Sequence, residues 1–337
     1  MCGMPAGTGL EAWKRGGTAL RLESRSREEH PMKRPTDRLV LAHICLWTVT
    51  SLTTAGADLK PIWQTPAVFR TPEAVLYDNT RDVLYVSNFN IDGGFLAGRT
   101  KPQRREFISK LDTAGRVLAL KWVTGLEAPT GLALHDDRLF VVERGNLVEI
   151  DVDSARIVDR SAIPDASFPN DIALDGHGVG YISDNGREPK TGIYRSADGR
   201  IEPWIPSAQV SRPNGLLIDG DELIAYDNHR KALVAIGLAD RGIRTVAQIA
   251  SEAPAIGDGL IRVAEKTYLV TAWSGPSWLI RPNGSVTALL DTSQLTAVSG
   301  SQVNNADGAY VPKKNLWVIP TFMDHRLLAY HLTIDGN

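Results

Sequence analysis

One short phrase recurs six times along the 337-residue chain: Pro72-Glu73-Ala74-Val75, Pro129-Thr130-Gly131-Leu132, Pro169-Asn170-Asp171-Ile172, Pro213-Asn214-Gly215-Leu216, Gly257-Asp258-Gly259-Leu260 and Ala306-Asp307-Gly308-Ala309. Each copy opens an apolar run. Counted between second residues, the intervals are 57, 40, 44, 44 and 49. Strand-rich units of roughly 40–50 residues are the signature of propeller blades. A β-sandwich, the competing all-β architecture, has no reason to repeat a motif in phase.

The content of each unit agrees. The fourth reads as four short strands, Gly215–Asp219, Glu222–Asn228, Ala232–Leu238 and Arg244–Ala250, punctuated by Asp219-Gly220-Asp221 and Asn228-His229-Arg230-Lys231. Such clusters supply the turn residues that hairpins need. The third and fifth units follow the same plan, but the last shows only three strands before the chain ends. A strand-like stretch upstream of the first phrase, Leu59–Val68, can supply the missing outer strand and cover an open edge. The expected fold is therefore all-β, a six-bladed propeller with four-stranded blades, closed by an N-terminal strand that completes the last blade.

The first residues read as a targeting segment. Met32 to Arg38 is a basic head, Leu39 to Leu52 an apolar core, and Ala55-Gly56-Ala57 a small-residue cleavage site, so residues 32–57 are expected to be a signal peptide. Met32 is then the initiator, residues 1–31 a non-native or disordered extension, and residues 58–337 one propeller domain. A membrane anchor is the competing reading, but the apolar run falls short of the ~20 residues a span requires and contains His43. The expected product is periplasmic or secreted, with no stable membrane span after cleavage. Both cysteines, Cys2 and Cys45, lie ahead of the cut, which leaves no disulfide. Residues 1–57 carry eight Lys or Arg and five Asp or Glu, leaving 29 basic and 34 acidic residues and a net charge of −5. An acidic exported domain is a poor nucleic-acid binder; a small-molecule substrate is the expected partner.

In a propeller the innermost strand of each blade lines the central channel, so six phrases far apart in sequence converge at one mouth of the axis. Glu73, Asn170, Asn214 and Asp258 would present two carboxylates and two amide oxygens there, with Asp307 as a further acid. Oxygen donors without sulfur or a spaced histidine pair suit a divalent cation, Ca²⁺ better than Zn²⁺ or copper. A cation would also relieve the repulsion between crowded carboxylates. Asn, Asp and Gly before a strand are equally turn formers; Glu73 is the member that turn chemistry does not explain.

Through Pro72-Glu73, Pro169-Asn170-Asp171, Arg212-Pro213-Asn214-Gly215 and Asp258-Gly259, in that order, the chain from about Thr71 onward resembles the gluconolactonase/regucalcin (senescence marker protein) family of calcium-dependent six-bladed propellers, themselves related in architecture to paraoxonases. The resemblance implies that Glu73, Asn214 and Asp258 hold the metal directly. It places Asn170 beside the ion, ligating it or touching substrate, and gives Asp258 the acid/base role. In lactone hydrolysis the ion would polarise the carbonyl and help generate a hydroxide-like water, with a carboxylate shuttling the proton. One departure matters: sugar-lactonase members often carry Arg two residues before the Asn170 position, to grip substrate hydroxyls, where this chain has Phe168.

The second strand of each blade returns toward the same mouth, so its end should rim the site. Those ends are Asn88 and Asn90, Glu143 and Arg144, Asp184 and Asn185, Asp227 and Asn228, Trp273, and Phe322 with His325. Asn88, Asp184, Asp227, Trp273 and His325 are the candidate substrate contacts, with turn formation as the alternative role for the two aspartates, and Trp273 with Phe322 would form an apolar wall or pack between blades. The long first interval comes from an insertion over Asn90 to Glu106, rich in Arg and Lys, which reads either as a lid or as a solvated basic loop. No Gly-x-Ser-x-Gly elbow is present, and Gly176-His177-Gly178-Val179-Gly180 lies at a strand turn instead of between a strand and a helix. The reading is an exported metal-dependent hydrolase of a lactone or related ester. A non-catalytic propeller that binds a ligand or partner protein around a structural ion is the main alternative, and a synthase or lyase related to strictosidine synthase-like propellers is a third.

Overall fold

The structure, a computed structural model, describes residues 52–54, 56–91, 104–187, 190–249, 257–300 and 302–334. Six antiparallel sheets succeed one another in chain order. Blade 1 comprises Pro72–Asp78, Val83–Asn88, Glu106–Asp112 and Val117–Leu126; blade 2 comprises Leu132–His135, Arg138–Glu143, Asn146–Asp151 and Arg156–Ala162. Blade 3 is Pro169–Leu174, Gly180–Asp184, Thr191–Ala197 and Arg200–Pro206, and blade 4 is Leu216–Asp219, Glu222–Asp227, Ala232–Gly237 and Ile243–Gln248. Blade 5 is Gly257–Ala264, Thr267–Ala272, Pro276–Ile280 and Val286–Asp291.

The last blade is completed from the other end of the chain. Its inner strands, Ala309–Val311, Leu316–Thr321 and Arg326–Ile334, are joined by β2 (Ala57–Gln64), which pairs with Arg326–Ile334 from Ala57↔Ile334 to Gln64↔Leu328. β2 begins two residues before the expected strand and stops at Gln64, because Pro66 cannot donate to a ladder. A short strand, β1 (Leu52–Thr54), adds a fifth member outside it through Thr54↔Ala57. The proposed signal peptide lies outside the described residues as far as Ser51, and the insertion between Asn90 and Glu106 does so over 92–103.

Alternating strand residues point to opposite faces of a blade, and here both faces are apolar because each packs on a neighbour. Six clusters fill the six blade interfaces. Tyr85, Ile108, Leu139 and Val148 lie between blades 1 and 2; Leu269, Leu279, Trp317 and Ile319 lie between blades 5 and 6. Burying one such side chain contributes on the order of 1.5–3 kcal/mol, so the ring is held by side-chain packing between sheets that share few backbone bonds. A seventh cluster, Phe89, Ala128, Ala306 and Phe322, is a cap over the mouth of the axis. No helix among the described residues is long and apolar enough to cross a membrane.

At the axis the six phrases interlock in pairs. Val75 N–H donates to Asp307 O and Asp307 N–H to Glu73 O, linking blades 1 and 6; Gly131 N–H donates to Asn170 O, and Gly215 N–H to Asp258 O. These contacts explain the phrase's glycines: a Cβ on Gly131 would stand 2.5 Å from Asp171 Cα, and one on Gly215 would stand 2.5 Å from Asp258 O. The sixfold repeat is a threefold set of blade pairs. In blades 1, 3 and 5 the inner strand bulges at the phrase, between Pro72 and Val75, Pro169 and Ile172, and Gly257 and Leu260. A hydroxyl on the second strand accepts the N–H freed by each bulge: Ser87 from Ala74, Ser183 from Asp171, Thr271 from Gly259.

Candidate functional site

The bulges decide which side chains reach the mouth. Glu73, Asn170 and Asp258 stand in the three bulges, Asn214 two residues ahead of an unbulged inner strand, and all four line one cavity of about 240 Å³. Phe89, Phe168, Asn185, Arg212, Trp273 and Phe322 complete its wall. Below it runs an axial channel of about 410 Å³ lined by the inner strands of all six blades, including Asp171 and Asp307. In blade 3, then, adjacent phrase residues serve different spaces, Asn170 the mouth and Asp171 the channel.

The acids are buried together. Glu73 and Asp258 are each 5% exposed, and Glu73 Oε2 has no hydrogen-bond partner. Burial, reinforced by the negative charges of Asp258, Asp307 and Asp171, raises the Glu73 carboxyl well above its ordinary value, against a hydrogen bond from Asn170. Burial likewise pushes Asp258 up to about 7; the hydrogen bond from Asn214 Nδ2 to its Oδ1, at 2.8 Å, opposes this and the charge of Asp171 adds to it. Asp171 also rises to about 7 by burial, although its carboxylate accepts from Leu216 N–H at 2.7 Å and from Ile172 N–H at 2.7 Å. Asp307 is raised well above its ordinary value by burial and by Asp171 and Asp258, while Leu260 N–H donates to it.

Two carboxylates and two carboxamides around a small cavity, one carboxylate oxygen lacking any donor, form a donor set that fits a hard cation. Among the described residues no group of three or more His, Cys, Asp or Glu side chains is arranged to hold a metal ion. The set at the mouth therefore depends on its amides.

Of the predicted rim, Asn185, Trp273 and Phe322 line the cavity, whereas Asn88, Asp184, Asp227 and His325 are placed elsewhere. Asn88 Oδ1 accepts from Arg70 N–H at 2.9 Å. Asp184 accepts from Ser167, Phe168 and Gly186 N–H at 2.7, 2.8 and 3.0 Å. Asp227 accepts from Ser211, His229 and Arg230 N–H and from the Arg230 guanidinium. His325, in a left-handed conformation with φ of 59°, accepts from Thr71 N–H through Nδ1 at 3.1 Å. Glu143 Oε2 and Asp324 Oδ1 hold Glu127 and Val298 N–H in the same manner as the acids of blades 3 and 4. These side chains are braces, each tying the end of a second strand to the segment that precedes an inner strand.

The residues that face the cavity follow a simple rule, and of them only Phe89 was unmarked in the sequence. Phe89, Asn185, Trp273 and Phe322 each come directly after a second strand, and Phe168 and Arg212 each come directly before a phrase proline. Because side chains alternate, in blades 1 and 3 the last strand residue, Asn88 or Asp184, turns into the brace and its successor turns into the cavity. Aromatic residues at three of four such successor positions were the available signal.

No family model matches the chain, and no curated protein matches it. Among solved structures it is similar to one described as a "putative gluconolactonase", with a TM-score of 0.57 and 17% identity over 84% of this chain and 94% of that one. Likeness at this identity shows a shared six-bladed fold.

Proposed function

We propose that this propeller hydrolyses lactones or related carboxylic esters at the axial cavity, with a divalent cation, Ca²⁺ by the chemistry of the donors, held by Glu73, Asn170, Asn214 and Asp258. The observation that carries the reading is the buried Glu73 Oε2 without a partner, in the same cavity wall as Asp258 and two amides. A buried acceptor with no donor costs about 1–3 kcal/mol, a cost that a cation would offset. The likeness to a structure described as a "putative gluconolactonase" supports the same class of reaction.

When bound, the ion would supply Lewis-acid polarisation of an ester carbonyl. The chain's own groups do the rest. Asp258, in the same cavity wall, can take a proton from water and return it to the leaving alkoxide as a general acid–base. Water adds to the carbonyl carbon, the ring C–O bond breaks, and the product is a hydroxy acid. Asn214 fixes one Asp258 oxygen by its 2.8 Å hydrogen bond. The aromatic wall lowers the water content of the cavity and strengthens the electrostatics within it.

Export through residues 32–57 belongs to the same proposal. Cleavage after Ala57 would remove β1 and keep the β2 pairing from Asp58↔Thr333 onward. N-terminal sequencing of the protein recovered from cells tests it, with Asp58 as the expected first residue.

The central test combines metal analysis of the purified protein with a lactone and ester panel, with and without chelator. Turnover restored by Ca²⁺ and lost in Asp258→Ala and Glu73→Ala is expected. Rates indifferent to chelation and to both substitutions would overturn the metal mechanism. A retained ion with no turnover on a broad panel would mark a binding propeller, and products other than hydroxy acids would mark a lyase or synthase.

A further inference from the structure

Resting on the proposed hydrolysis of a lactone or ester, the wall of the cavity goes further and selects among such substrates. Four aromatic rings form a continuous arc along it. Phe168 meets Phe89 edge-on at 6.5 Å, Phe89 meets Phe322 at 5.7 Å, and Phe322 meets Trp273 edge-on at 6.3 Å. Phe89 and Phe322 are 4% and 6% exposed and belong to the apolar cap, whereas Trp273, at 38%, presents its ring to solvent at the lip. The rings come from blades 1, 3, 5 and 6, so the arc is a product of closure and not of one local segment.

The polar complement of this wall is small. Beside the four candidate ion ligands, Asn185 and Arg212 are the polar lining residues, and each holds a buried atom without a partner, Asn185 Oδ1 and Arg212 Nε. One donor and one acceptor match a ligand with one or two polar groups. A polyhydroxylated ring would bring several hydroxyls against aromatic faces, where each loses water and gains nothing. An alkyl or aryl arm gains from the same faces by burial. At about 240 Å³ the enclosed space is below the roughly 300–1,000 Å³ of drug-sized sites, so a longer arm would continue outward over the exposed Trp273 ring.

We infer that the substrate is an amphipathic lactone or ester, its apolar arm lying along Phe168, Phe89, Phe322 and Trp273 and its polar acceptor on Arg212 Nε, and that polyhydroxylated sugar lactones are poor ligands. Two measurements on the purified full chain with Ca²⁺ test it. The first compares kcat/KM for γ-nonalactone and dihydrocoumarin with that for glucono-δ-lactone, in wild type and Trp273→Ala. At least a tenfold preference for the apolar substrates is expected, shrinking about fivefold or more in the variant; because Trp273 is exposed, this variant avoids the folding risk of Phe322→Ala. Preference for gluconolactone, or a preference ratio unchanged by Trp273→Ala, would overturn the inference.

The second measurement is calorimetric binding of a non-hydrolysable alkyl lactam, 5-hexyl-2-pyrrolidinone, against glucono-δ-lactam. Tighter alkyl-lactam binding, weakened in Trp273→Ala, supports the inference even if no ester is turned over, an outcome that would defeat only the hydrolase reading. Equal binding of both lactams, or tighter binding of the hydroxylated one, defeats the substrate inference whatever the activity.

Discussion

Asp184 and Asp258 are both buried acids held by backbone and amide donors at one end of the propeller, and they illustrate opposite uses of a carboxylate. Asp184, at the end of a second strand, accepts from three backbone N–H groups and so pins Ser167 and Phe168 against the blade. Asp324 is the same device in blade 6. Burial would raise its carboxyl, but donors from Ser299, Gly300, Val298 and the Arg326 guanidinium hold it below its ordinary value. Asp258 has one amide donor, shares its surroundings with other acids, and is pushed up to about 7. Glu73 keeps an oxygen with no donor at all. Saturated acids stabilise; undersaturated acids store a demand for a cation or a proton. The difference lies in the number of donors and in the other acids buried beside Asp258 and Glu73.

The largest expected effect that would break this comparison is on catalysis. Asp258→Asn should lower kcat/KM for a lactone by roughly 10²–10⁴ while the purified variant keeps its fold by circular dichroism; an active variant would remove Asp258 from the proton-handling role. Next in size, Asp184→Ala should cost about 2–4 kcal/mol in denaturant unfolding, because three buried N–H donors lose their acceptor. A cost under about 0.5 kcal/mol would show that the brace is dispensable.

A pH experiment sharpens the same contrast. A carboxyl raised in the folded chain contributes stability that is complete below its unfolded value near 4 and is lost as pH rises through about 7. In chelator-treated protein Asp258→Asn should therefore match wild type near pH 4 and exceed it by about 4 kcal/mol at pH 8. A difference that shrinks with rising pH would reverse the sign and refute the burial argument. The smallest effect expected is on ion affinity: Glu73→Gln should weaken Ca²⁺ binding about tenfold by removing one ligand charge, measured by calorimetry. Unchanged affinity would place the ion away from Glu73.

Much of this was legible along the chain. The phrase interval gave the blade count, and the three-stranded last unit with a spare upstream strand gave the closure, because hydrogen-bonded edges and repeats leave direct marks on sequence. The convergence of Glu73, Asn170, Asn214 and Asp258 followed from phase alone. The rim was legible only in part: Asn185, Trp273 and Phe322 face the cavity, whereas Asn88, Asp184 and Asp227 are braces and Phe89, beside Asn88, faces the cavity. With a period of two, a shift of one residue exchanges core and cavity, and at the end of the blade 1 second strand polar type pointed to Asn88 when its neighbour Phe89 faces the cavity. Arg212 stood inside a quoted motif, yet only the structure shows its Nε buried without a partner.

By itself the sequence determined the repeat, the strand-and-turn alternation within it and the order of donor residues around the axis, since these depend on local chemistry and on phase. Only the tertiary structure decided that three blades bulge and three do not, which acids are saturated by backbone donors and which stand undersaturated, and that four rings from four blades join into one wall. Those outcomes depend on how closely neighbouring blades approach at the axis, a distance set by packing across the whole ring and written in no single segment.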